Sequence, residues 1–315
     1  MSKSFEECLE DIKNSTSSDF EELEIKAKQE SKKKARWFFS LACIFDLPIL
    51  YFFLKSKMMF FLPMIFAPIF IIDVFIYLIL TLCFSKNKKE YITSFKANVI
   101  QKLMCNFYGH VNYMPEKYMP EDIYNLGKYN EYYNEYTSDD YMEGLLEDKY
   151  LTKMAEVHTV EETTTTDSDG NTTTERTTKF HGLFAQIKMD KSINSDLLIR
   201  QNWTIRKKDR LDMDSDEFEK VFDVSATNQI IGMQLLTHDI MEILLSFQKM
   251  TKIKYDVSIY NDTIYLRFHT GAMFELKSFK KGAFDEEMLR KYFNVLDFTR
   301  TLSNMLIDLI EKTEI

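Results

Sequence analysis

The chain has 315 residues, 45% of them hydrophobic and 26 of them Phe, with a net charge of −9 and a mean hydropathy of −0.28. That length allows one or two ordinary domains beyond any membrane segment, and the mean hydropathy is too polar for a chain living wholly in lipid. Residues 109–315 carry 25 Lys+Arg against 37 Asp+Glu, which argues against a nucleic-acid partner, whereas residues 1–108 carry 15 against 12.

Residues 1–36 read as a helical segment. Its first 17 residues form a short amphipathic element with Phe5, Leu9 and Ile12 on the apolar side. SDFEELEIKAKQESKKKAR then predicts a helix capped by Ser18 or Asp19, with Glu21 and Glu22 in its first turn.

Residues 37–84 hold two apolar runs, WFFSLACIFDLPILYFFL (37–54) and MFFLPMIFAPIFIIDVFIYLILTLCF (59–84). Each has at least 18 residues and one carboxylate, and about 20 helical residues cross a hydrocarbon core about 30 Å thick. Neither run shows a polar stripe at helical period. Only Lys55, Ser56, Lys57 and Met58 separate them, so they predict an antiparallel transmembrane hairpin with both flanks on one side. A basic collar of Lys32, Lys33, Lys34, Arg36, Lys86, Lys88 and Lys89 borders the hairpin, against two lysines at its tip. The positive-inside rule then puts both termini in the cytoplasm of a multi-pass protein of the cell (inner) membrane. The collar is positioned to contact anionic lipid headgroups. No cleavable signal peptide precedes Trp37. Four scattered cysteines form no disulfide framework and no CxxC pair.

Asp46 and Asp73 are the charged residues inside these runs, and each costs about 2.5–3.5 kcal/mol at mid-membrane. Counted from a tip near Ser56, they lie 10 and 17 residues deep, an offset of about 10 Å at 1.5 Å per residue. That spacing predicts that they do not pair within one hairpin. Capping of helix backbone freed by Pro48 and Pro68 is the structural reading, and an ion path through an oligomer is the functional one.

Residues 85–108 predict a juxtamembrane helix with Ile92, Phe95, Val99, Leu103 and Phe107 on one face, ending at Gly109 and pairing with the helix before Trp37. Residues 109–139, rich in Tyr, Asn and acidic residues, read as a connector with one short helix. Residues 140–315 predict an α+β domain with a mainly antiparallel sheet, one internal helix and a long C-terminal helix. Its clearest signal is a long β-hairpin of two Thr-rich runs around Asp167, Ser168, Asp169, Gly170 and Asn171, whose polar tip is a candidate docking site. A calcium loop of the EF-hand type is excluded, because Gly170 falls at position 4 rather than 6. Strands are expected at 197–206 and 221–226, and a helix from Thr237. A second hairpin should turn at Asn261-Asp262, a short strand should cover 273–276, and a helix should run from Asp285 to about Lys312.

The series DYMEG (140–144), AEVHTVEE (155–162), FHGLFAQIKMDKSI (180–193), DEFEKVFDVSATNQIIGMQLLTHDIMEIL (216–244) and IYNDTIYLRF resembles the bacterial domain-of-unknown-function family numbered 3137. The resemblance covers most of residues 85–312 and implies two membrane helices ahead of the domain, with no known activity. The chain departs from the pattern at Asn228, Gly232-Met233 and His238, where the family leads one to expect Asp, Ala-Arg and Pro.

Catalytic motifs are missing from the sequence. His110, His158, His181, His238 and His269 show no metal-ligand spacing, and GxSxG, GxGxxG and GxxxxGK are not present. No catalytic set, metal set or cofactor is therefore predicted, and the balance leans away from an enzyme. His158 and His181 sit on opposite arms of the long hairpin, where they can face one another as structural residues. The expected function is a membrane-anchored cytoplasmic binding or scaffolding module, with membrane lipids and either a protein partner or a second copy as partners. The alternative is a subunit of an oligomeric ion or solute channel or transporter using Asp46 and Asp73.

Overall fold

The computed structural model describes residues 3–56, 62–83, 86–201, 210–276 and 281–312. They fall into two units, one of residues 13–99 with 276–285, the other of residues 1–12, 100–275 and 286–315.

The first unit is helical. Helix α2 (Ser18–Ser56) and helix α3 (Leu62–Cys83) contain the described parts of the two apolar runs, and α4 (Lys86–Phe95) follows. Helices α2 and α3 pack antiparallel. Lys34 donates to Thr81 Oγ1 at 2.6 Å and lies 4.1 Å over the Tyr77 ring, which also meets Phe38 edge-on at 6.0 Å. The predicted pairing of the flanking helices is present: Phe20 of α2 is buried against Tyr91 of α4 at 5.4 Å and against Phe284 at 6.3 Å. Among the described residues no single helix is long and apolar enough to cross a membrane by itself. The tip of the predicted hairpin, residues 57–61, lies outside the described residues.

A π-helical turn, Lys96–Ile100, joins α4 to α5 (Gln101–Tyr108) within the predicted juxtamembrane helix, which ends at Gly109 with φ 62°. Single π turns widen a helix locally and carry no apolar-period signature of their own, so the sequence gives no sign of one.

The second unit is α+β, built on a nine-stranded, wholly antiparallel sheet in the order β1-β2-β3-β4-β9-β8-β5-β7-β6. The strands are β1 (Asn112–Met114), β2 (Glu135–Leu146), β3 (Tyr150–Thr166), β4 (Thr172–Lys188), β5 (Leu197–Gln201), β6 (Arg210–Leu211), β7 (Phe222–Ala226), β8 (Tyr255–Tyr260) and β9 (Thr263–Phe268). Successive side chains on a strand face opposite sides. Tyr255 and Phe268 thus point to one face, where Phe247 of α9 (His238–Thr251) and Phe298 of α10 (Glu286–Lys312) stack at 3.9 Å and cover them. Phe184, Tyr265 and Arg267 point to the other, which the connector covers through Tyr124 of α6 (Glu121–Asn125), Tyr129 and Met119.

The long hairpin, the second hairpin, the Thr237 cap of α9 and the 27-residue C-terminal helix stand as predicted. Thr237 accepts the Ile240 N–H, the bond that gives such a cap its value of about 1 kcal/mol. Four expectations change. The domain holds two short helices, α7 (Asp216–Glu219) and α8 (Gln229–Leu235), ahead of α9, where the sequence predicts one internal helix. Residues 273–276 form no strand; the Met273 and Phe274 amides donate instead to a side chain, Glu156. The connector contributes β1 and the first residues of β2, because EYTSDDYMEGLL pairs in register with β3 although its apolar residues do not alternate. In helix α1 (Phe5–Asn14) the buried face is Phe5, Cys8 and Ile12, with Cys8 taking the place expected for Leu9. Phe5 packs edge-on against Phe293 at 5.5 Å. Cys8, Cys43 and Cys105 are free thiols.

Candidate functional site

Two clusters of ionisable side chains are set into the sheet, one on each face. On the connector-covered face, Arg267 of β9 is fully buried. Its guanidinium grips Glu131 through two bonds of 2.6 and 2.7 Å, donates from Nε to Asp256 and from Nη1 to the Tyr124 hydroxyl at 3.1 Å, and lies 4.1 Å over the Tyr129 ring. Arg200 adds bonds to Glu131 and to the Tyr129 carbonyl at 3.0 Å. Burial pushes the Asp256 carboxyl up, but Arg267, then His269 and Arg200, outweigh it and hold the group down at about 2. Burial is likewise outweighed at Glu131, which Arg267 and Arg200 hold below the usual carboxylate range. Each carboxylate here meets a guanidinium in a desolvated place, the arrangement that makes a buried ion pair tolerable.

On the other face, the register of β2, β3 and β4 sets Asp139 opposite Glu156, and in the next row outward Thr137 opposite His158 and His158 opposite His181. Like charges directly opposed across a strand pair are destabilising, so the Asp139–Glu156 pair is a cost to the sheet. A β-bulge follows Asp139 and turns fully buried Asp140 into the left-handed region at φ 51°, a conformation Asp tolerates better than most residues. There Asp140 accepts a hydrogen bond from the Tyr113 hydroxyl. Asp139, Asp140 and Glu156 each bring a carboxylate oxygen to within 4.8 Å of the others.

A cavity of about 200 Å³ opens over this group, lined by Thr137, Asp139, Glu156, His158, His181 and Glu275 among others. Glu156 is only 5% exposed. Its Oε1 accepts the main-chain N–H groups of Met273, at 2.7 Å, and Phe274, while its Oε2 accepts no hydrogen bond among the described residues. Burial, reinforced by Asp140 and Asp139, raises this carboxyl to about 7 against the pull of the two amides. The His158 and His181 rings lie 4.5 Å apart, and His158 Nε2 is 3.3 Å from Thr178 Oγ1. Burial and then His158 lower the His181 pKa against the opposing pull of Asp139, which favours the neutral ring. The site thus offers hard carboxylate oxygens, a carboxyl raised by burial and two imidazoles around one small space.

Gly182, next to His181, is required by close approach: a Cβ there would stand 1.9 Å from the Phe268 carbonyl oxygen and 2.6 Å from the Thr270 nitrogen. The end of β9 can therefore press onto β4 just behind the imidazole.

The candidate residues from the sequence lie elsewhere. Asp167, Asp169, Gly170 and Asn171 form the exposed hairpin tip, where Asp167 accepts from the Asp169 and Asn171 amides and from the Asn171 side chain. Those bonds pull the Asp167 carboxyl below its usual range and make it a turn staple. In the collar, Lys32, Lys33, Arg36, Lys86, Lys88 and Lys89 are exposed, and Lys34 is partly covered by Tyr77. Asp46 and Asp73 each have an Oδ1 that is buried with no hydrogen-bond partner. The Lys34–Thr81 and Phe38–Tyr77 register sets Asp46 level with position 69, so its offset from Asp73 is about 6 Å at 1.5 Å per residue. That is nearer than the 10 Å counted from the tip. The facing of His158 and His181 is the one element of the cavity that the sequence foresees. Asp139, Asp140 and Glu156 carry no spacing signal, because the bulge and the β2–β3 register bring them together.

A wholly antiparallel sheet flanked by helices on one face and an aromatic connector on the other defines an α+β domain with a small polar cavity. Residues 178–306 of this chain match the family described as "Protein of unknown function (DUF3137)". The matched stretch runs from β4 into α10 and includes His181 and Glu275, whereas Asp139, Asp140, Glu156 and His158 precede it. No curated protein matches the chain. Among solved structures the chain is similar to the mycobacterial trehalose monomycolate transport factor A, TtfA, at 10% identity, covering 60% of this chain and 88% of that one with a TM-score of 0.32. Of the positions that depart from the family pattern, Asn228 caps α8 (Gln229–Leu235) by accepting from the Ile230 and Ile231 amides, and an Asp would cap equally well.

Proposed function

We propose that this protein is a membrane-anchored binding module: α2 and α3 insert as a hairpin from the cytoplasmic side, and the sheet domain is the part that binds. The observation that carries the reading is the surface of those helices. Phe39, Ile44, Leu47, Tyr51, Phe70, Ile71, Phe75 and Leu78 are all between 54 and 72% exposed, a concentration of large apolar surface that water does not tolerate and lipid does. Exposed Lys32, Lys33, Arg36, Lys86, Lys88 and Lys89 border it, where each contributes about 1 kcal/mol of attraction to an anionic leaflet. A buried polar network and a small cavity in the sheet domain, without a nucleophile and its base in either, support binding over covalent catalysis.

Membrane fractionation tests the anchor. The full chain is expected in the pellet after alkaline carbonate extraction, with a tag at either end cleaved by protease only in inverted vesicles. A chain released by carbonate, or one whose two ends lie on opposite sides, overturns the reading. A channel subunit is the second reading, supported by the unpartnered Oδ1 atoms of Asp46 and Asp73. It requires ion flux into liposomes that Asp46→Asn and Asp73→Asn both reduce.

A further inference from the structure

We infer that the cavity over the β2 bulge is a divalent-cation site, with Asp139, Asp140 and Glu156 as its oxygen ligands and the His158–His181 pair on its rim. The inference rests on the reading of the sheet domain as the binding part.

The geometry suits a metal ion. A divalent cation sits about 2.1–2.6 Å from each carboxylate oxygen, so oxygens that share one ion stand no more than about 4–5 Å apart. The three carboxylates meet that limit, with their oxygens all within 4.8 Å. They come from two neighbouring strands: Asp139 and Glu156 are directly paired, and Asp140 sits in the bulge that follows.

Glu156 points independently to a ligand. It is 95% buried by its 5% exposure and lines the cavity. One oxygen is anchored by two amides of the 273–274 segment, and the other, on the residue that lines the cavity, has no hydrogen-bond donor among the described residues. Anchoring one oxygen aims the carboxylate and leaves the second for an ion. A bound dication would also remove the penalty of opposing Asp139 to Glu156. The contrast with the other face is chemical: both Glu131 oxygens accept from Arg267, and Asp256 accepts from Arg267 on Oδ2 with Arg200 Nε 3.5 Å from its Oδ1.

The donor set selects the ion class. Carboxylate oxygen suits Mg²⁺, Ca²⁺ and Mn²⁺, and an imidazole within reach favours Mn²⁺ among these. The cavity volume leaves room for several coordinated waters beside the His158 and His181 rings that line it.

The test uses the full chain in lipid nanodiscs at pH 8, with Mn²⁺ as the probe, followed by its electron paramagnetic resonance signal and by calorimetry. One Mn²⁺ is expected per chain, displaced by Ca²⁺. Glu156→Gln and Asp139→Asn should each weaken binding at least tenfold. Asp139 is exposed, so Asp139→Asn keeps the test valid should Glu156→Gln fail to fold. The double variant Asp167→Asn/Asp169→Asn, at the exposed hairpin tip, should bind as the parent does. No saturable site near one equivalent, or parental affinity in Asp139→Asn, overturns the cation site. Carbonate extraction of the same proteins separates the two claims, since a chain that stays in the membrane without binding Mn²⁺ refutes this inference and leaves the anchor standing.

Discussion

The two ionic clusters of the sheet differ in how their carboxylates are balanced. Around Arg267, two carboxylates, two guanidinium groups and a tyrosine hydroxyl form a closed set under an aromatic roof. Around Glu156, three carboxylates crowd together, burial and then Asp140 and Asp139 raise the Glu156 carboxyl, and the balancing groups shown for it are main-chain amides. The first arrangement stabilises a fold against the cost of desolvating charge. The second opposes Asp139 to Glu156 across a strand pair, which costs stability at neutral pH.

The comparison can be broken most forcefully at Arg267. Arg267→Ala leaves Asp256 and Glu131 buried without their main partner and is expected to cost about 3–5 kcal/mol, read as a lowered urea midpoint for the full chain in detergent. An unchanged midpoint would mean that the cluster does not brace the sheet. A smaller effect comes from acid. The Asp256 carboxyl is held at about 2 when folded, below the unfolded value of about 3.9. Its contribution of about 2–3 kcal/mol is therefore present above pH 4 and lost as pH falls toward 2. Asp256→Asn should show a shallower loss of stability across that range than the parent does. The smallest effect belongs to an exposed pair on the same sheet. Arg176, 2.8 Å from Glu162 on the outer part of the long hairpin, has a 56% exposed side chain, and Arg176→Ala should change stability by less than about 1 kcal/mol. Loss of more than that would remove the distinction between buried and exposed pairs on which the comparison stands.

Much of this fold is legible in the sequence because its elements announce themselves locally. Helix α10 repeats apolar residues at helical spacing, and Thr237 sits where a cap belongs. The two hairpins declare their turns at Asp167–Asn171 and Asn261-Asp262. The cavity is legible only at His158 and His181, whose facing follows from hairpin symmetry. Its acidic part depends on a bulge in a strand, EYTSDDYMEGLL, whose apolar residues do not alternate, and on amides of residues 273–274 that lie more than a hundred positions from Glu156. The Arg267 cluster escapes for the same reason, since Glu131 of the connector, Arg200 of β5 and Asp256 of β8 meet through sheet order rather than sequence spacing. Asp46 and Asp73 show the limit of counting from a turn: contacts along the helices, not distance from the tip, fix their offset.

Residues 1–12 belong to the same unit as α10, and the helical unit is inserted between them in the chain. The apolar face of α1, with Phe5, Cys8 and Ile12, must therefore wait for Phe293 to be made 288 residues later. At translation rates of about 5–20 residues per second that delay is about 15–60 s. During it a short greasy helix and two apolar hairpin segments emerge ahead of the surface that will receive α1. The order of synthesis thus makes the docking of α1 onto α10 one of the last steps in closing the domain.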